Sequence, residues 1–69
     1  MNEKVAMKTE PAFLWEVLSL DGKVIVTIQA DYFGLGIEGS IRFYSENEQG
    51  GHVTVGAVPP GVWFMVRLA

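Results

Sequence analysis

The chain has 69 residues, 49% of them hydrophobic, with no cysteine, one histidine and a formal charge of -3. These numbers exclude a disulfide framework and a zinc site built on cysteine and histidine, and five scattered Lys and Arg argue against a nucleic-acid backbone as partner. A domain this small buries only about 60% of its unfolded surface, so the apolar excess is expected to meet another copy or a partner protein, a dimer being the commonest closed form.

Residues 1–11, "MNEKVAMKTEP", mix charge with weak apolar content at a terminus and read as a flexible arm before a single small β domain over 12–69. No apolar core segment or small-residue cleavage site marks a secretion signal. The long uncharged run "QGGHVTVGAVPPGVWFMV" is broken by two prolines and four glycines, so it reads as two strands and a turn and not as a membrane span. A cytoplasmic protein without membrane or nucleic-acid partners is the expectation.

Thr9 to Ser19 is ambiguous. A short helix would use Thr9 as N-cap, Pro11 in the first turn and a stripe of Phe13, Leu14, Val17 and Leu18. A strand is favoured because "LDGK" comes next, and Asp-Gly is a strong two-residue hairpin signal. A type I′ turn at Asp21-Gly22 places Leu18 opposite Ile25, Val17 opposite Val26, Glu16 opposite Thr27 and Trp15 opposite Ile28. That register gathers Trp15, Val17, Val24, Val26 and Ile28 on one face and leaves Leu18 and Ile25 on the other.

The stretch "DYFGLGIEG", Asp31 to Gly39, has the spacing G-x-G-x-x-G. A dinucleotide site needs a helix after the glycines, with its N-terminus aimed at the pyrophosphate. The segment after Gly39 is instead "SIRFYSE", β-branched and aromatic with period-two alternation. The glycines are therefore expected to end, twist or bulge a strand, and no cofactor is expected.

In that next strand Ile41 and Phe43 share one face, and Arg42 and Tyr44 the other. "HVTVGAV" sets Val53, Val55 and Ala57 against His52, Thr54 and Gly56. After the "PPG" turn, "VWFMVRL" points Val62, Phe64, Val66 and Leu68 inward and Trp63, Met65 and Arg67 outward. The expectation is an all-β, mostly antiparallel meander of about five strands, curled into a small barrel or a strongly twisted sheet.

The strand with Phe43-Tyr44, the polar turn and aliphatic strand after it, and Gly61 before Trp63 look like features of small orphan proteins of bacteriophages and other mobile elements. The likeness spans residues 13 to 69 in outline. It implies a non-enzymatic accessory or anti-defence role, exerted on a host protein, and carries over no catalytic residue.

Candidate catalytic groups lack the company they need. His52 would require an orienting acid and a nucleophile, and Ser19, Ser40 and Ser45 have no nucleophile-elbow context. Asp31, Glu38, Glu46 and Glu48 read as solvated turn residues. No catalytic, cofactor or metal residue is assigned. The binding candidates are Trp63, Met65, Tyr44 and Leu18 with Arg42, Arg67 and Ile25, types enriched at interface centres, and the loop aromatics Tyr32 and Phe33, although a core-capping Phe33 is an equal alternative. The function expected is a homo-oligomeric protein-interaction module and inhibitor. The alternatives are an oligomeric sponge for small anionic ligands such as nucleotides, and a small enzyme.

Overall fold

The computed structural model describes residues 13–69; the arm expected over 1–11 lies outside the described residues. Segments rich in Val, Ile, Thr and aromatic residues, types that fit a pleated half-buried surface, form six strands. They are β1 (Phe13–Leu18), β2 (Val24–Ala30), β3 (Tyr32–Leu35), β4 (Ile41–Glu46), β5 (His52–Val58) and β6 (Met65–Leu68), with a 3₁₀ turn at Ile37–Gly39. The ambiguous segment is strand from Phe13 to Leu18.

The architecture is all-β and antiparallel, but two three-stranded sheets replace the single five-stranded meander, and they do not close into a barrel. One sheet has the order β2-β1-β6 and the other β3-β4-β5. Asp31 alone separates β2 from β3, so one run of chain passes from the first sheet into the second, as strands do at the corners of packed sheets. Asp31 fixes this corner at both ends: its N–H donates to Tyr44 O at 2.8 Å and its Oδ2 accepts from Glu46 N–H at 2.8 Å.

The β1–β2 register matches expectation at Trp15↔Ile28, Glu16↔Thr27 and Val17↔Val26, and then shifts: Leu18 pairs with Val24, not Ile25. Ile25 is the extra residue of a β-bulge. The cause is the turn. Only glycine, at Gly22 (φ 86°), has positive φ in this turn, whereas type I′ requires it at both central residues. Ser19 N–H instead donates to Lys23 O at 2.8 Å and Gly22 N–H to Ser19 O at 2.9 Å, a three-residue loop ending in a left-handed glycine. Positive φ at both central residues occurs in the β3–β4 turn, at Glu38 (φ 62°) and Gly39 (φ 89°). The glycines of "DYFGLGIEG" thus belong to a hairpin between strands.

A second shift, between Phe43 and Tyr44 on β4, pairs Phe43 with Gly56 and Tyr44 with Thr54, leaving Val55 as the extra residue. Beyond it the inward phase of β5 changes: Val58 is buried, and Val55 and Ala57, which alternation had placed on one face with Val53, are exposed. The core lies between the sheets and comprises Val17, Ala30, Ile41, Phe43 and Val58, with Trp15, Ile28, Trp63 and Val66 packed against it. At Gly56 the sheets approach so closely that a Cβ there would sit 2.9 Å from Ile28 Cδ1.

Candidate functional site

Three aromatic rings meet on the outer face of the β3-β4-β5 sheet. Phe43 is fully buried on the inner face of β4, so alternation turns Arg42, Tyr44 and Glu46 outward. The ladder then sets Tyr32 directly opposite Tyr44, and Tyr44 opposite Thr54 with Glu46 opposite His52. The ring centroids of Tyr32 and Tyr44 are 5.5 Å apart, those of Tyr44 and His52 4.8 Å, and those of Tyr32 and His52 6.3 Å. These separations fall in the range of favourable aromatic pairs.

Beside this cluster lies exposed Arg42, flanked across the ladder by Gly34 and Ala57. Neither neighbour has a side chain long enough to cover the guanidinium. Gly34 also serves the rings: its missing Cβ would lie 3.6 Å from Tyr44 Cε2, so the Tyr44 ring reaches over the glycine and is held half-buried. Tyr32 and His52 remain exposed at its side. The surface offers two phenol hydroxyls, an imidazole and a guanidinium on a paired sheet.

The sequence-derived binding candidates fall into separate places. Tyr32, Tyr44 and Arg42 come together as described. His52, in the sequence an isolated strand-end residue without catalytic company, joins them; the signal for it was its place at the start of a strand whose alternation matches Tyr44. Phe33 faces the other way, 5.0 Å from the Trp15 ring and 5.8 Å from that of Phe43, which is the core-capping role.

Trp63 is not an outward residue. It packs against the core, and its Nε1–H donates to Gly39 O at 2.8 Å. The β1–β6 ladder begins at Met65, with Phe64 N–H donating to Leu18 O at 2.8 Å at its edge, so regular alternation does not extend back through Trp63, and Val62 and Phe64, expected inside, are exposed. Leu18 is buried in the middle strand, between Val24 and Met65, and presents no contact surface. Met65 and Ile25 are exposed. Arg67 lies opposite Glu16, and its Nε donates to Glu16 Oε1 at 2.8 Å, so that cation is engaged within the chain.

The environment of Asp21 shifts its carboxyl. The Ser19 Oγ–H donates to Asp21 Oδ1, and this hydrogen bond, opposed by slight desolvation and aided by backbone N–H groups, holds the carboxyl below its ordinary range. Its place in the β1–β2 turn makes this a turn-stabilising contact. Among the described residues no cluster of three His, Asp or Glu comes together to hold a metal ion, and no helix is long and apolar enough to cross a membrane.

Comparison with protein-family models, with curated proteins and with solved structures found no match to this chain. The functional reading therefore rests on geometry.

Proposed function

We propose that the protein is a non-enzymatic interaction module that binds another protein through the outer face of its β3-β4-β5 sheet. The observation that carries this is the convergence of Tyr32, Tyr44 and His52 with exposed Arg42 beside Gly34 and Ala57. Aromatic residues and Arg are the types that dominate interface energetics. A guanidinium next to uncovered backbone and tyrosine hydroxyls suits a partner with carboxylates and carbonyl acceptors. The paired strands fix where these side chains leave the backbone, so the backbone pays no ordering cost on binding. In the setting that the likeness to phage proteins implies, the contact would block a host protein in the cytoplasm.

The test is affinity capture from cells of the source with tagged wild type and with the double variant Tyr32→Ala/Arg42→Glu. A partner recovered by wild type and lost by a variant of unchanged circular dichroism supports the reading. Equal recovery by both overturns it. The aromatic rings beside a guanidinium also suit a nucleotide, so a thermal-shift screen with nucleotides belongs to the same experiment. Saturating ligand at a hundredfold excess over its dissociation constant stabilises by about 2.7 kcal/mol, and such a shift would replace the protein partner with a small anionic one.

A further inference from the structure

Alternation places Phe13, Phe33, Leu35 and Leu68 on the core side of their strands: Phe33 pairs with buried Phe43, Leu35 with buried Ile41, and Leu68 with Trp15. Yet they are 46%, 37%, 70% and 55% exposed. They form one patch. The Phe13 and Phe33 rings approach the Trp15 ring at 5.9 Å and 5.0 Å, Leu68 sits opposite Trp15 across the ladder, and Leu35 lies two residues beyond Phe33 on the same face. Trp15 is half-buried at the centre, its Nε1–H satisfied by Ala30 O at 3.0 Å.

From these observations we propose that two copies of the chain associate through this patch, so that each completes the other's core. With roughly 150–250 Å² for each aromatic side chain and a similar area for each leucine, the four exposures leave on the order of 400 Å² of apolar surface, within the range of the largest and often functional patch on a typical monomer. A stable interface takes about 800 Å² from each partner, and this patch supplies its dry centre. None of the four side chains is charged, so the centre of the contact opposes no like charges although each chain carries a net charge of -3.

The occupant is a second copy because the need is permanent. Among the described residues six hydrophobic side chains are buried and fifteen large ones are exposed. A domain of this size without disulfide or metal needs its cover whenever it is folded. A second copy is the partner always present at the chain's own concentration, and a two-fold axis brings the same patch from both sides. The dimer uses other side chains than the outer face of β3-β4-β5, so the two proposals fail separately.

The test uses the full chain. Light scattering after size exclusion is expected to give a dimer at micromolar concentration, and the urea midpoint is expected to rise with protein concentration, because dissociation and unfolding are coupled. Leu35→Glu and Leu68→Glu should each weaken the dimer at least about tenfold, whereas Leu20→Glu, on a 79% exposed side chain in the β1–β2 turn, should leave it unchanged. If one variant does not fold, the other reports on the patch, and the wild-type midpoint decides whether the chain dimerises at all. A monomer with a concentration-independent midpoint overturns the dimer, whatever then covers the patch. A dimer indifferent to both substitutions overturns the assignment of the patch.

Discussion

Ser45 lies on the inner face of β4, 1% exposed, and its Oγ has no hydrogen-bond partner among the described residues. A buried hydroxyl left in this state costs about 1–3 kcal/mol. Ser45→Ala is therefore expected to raise stability by about 1 kcal/mol in urea denaturation, and a lowered midpoint would show that the hydroxyl is engaged. Asp21 gives a prediction in pH. Its folded-state pKa is depressed by the Ser19 hydroxyl, so its contribution is fully present above the unfolded value, about 3.9, and is lost as pH falls through the lower folded value. A carboxyl titration by NMR should find Asp21 below the ordinary aspartate range in wild type and restored toward it in Ser19→Ala. At this scale the sequence was legible in residue type more than in position. Asp-Gly announced a turn, but not which of Leu20, Asp21 and Gly22 would take positive φ. Trp63 read as outward because a period of two was extended across residues that precede the ladder.

Bulges decide much at the level of elements. Counting alternation straight through β2 put Ile25 opposite Leu18; the bulge sets Val24 there instead, and because Val and Ile are equally apolar and β-branched, residue type does not show which one is extra. In β5 nothing marks Val55 either, because Val, Gly and Ala are tolerated on either face. β3 was hidden for a different reason: "YFGL" is short, contains Gly34, and comes after Asp31 with no turn between, so it resembles the end of β2 more than a strand of its own. The β1–β2 and β4–β5 hairpins were readable from Asp-Gly and from the polar turn after Glu46, and the pairing of Ile41 with Phe43 on one face and of Arg42 with Tyr44 on the other from period two. Gly56 tests the packing of one sheet on the other. Its missing Cβ would meet Ile28 at 2.9 Å, and overpacking a core typically costs about 1–3 kcal/mol. Gly56→Ala is expected to destabilise by about that amount, with partial recovery in Gly56→Ala/Ile28→Val, where the colliding methyl is gone. An unperturbed Gly56→Ala would mean that the Ile28 side chain turns aside and that the contact of the sheets does not require glycine here.

For the molecule as a whole, two surfaces are placed on opposite sides of the same strand: Tyr32 turns outward with Tyr44 and His52, and Phe33 turns inward toward Trp15 and Phe43. The sequence marked both residues as a single loop patch, because the strand that separates their side chains was not visible in it. The assignment of function depends on the outward side. The most direct measurement places a photo-reactive phenylalanine analogue at position 32, and in a second protein at position 48, in cells of the source. Position 48 lies in the exposed β4–β5 turn. Irradiation is expected to give an adduct with one foreign protein from position 32 and none from position 48. Adducts confined to the chain itself, or equal labelling from both positions, would contradict binding through the Tyr32, Tyr44 and His52 face.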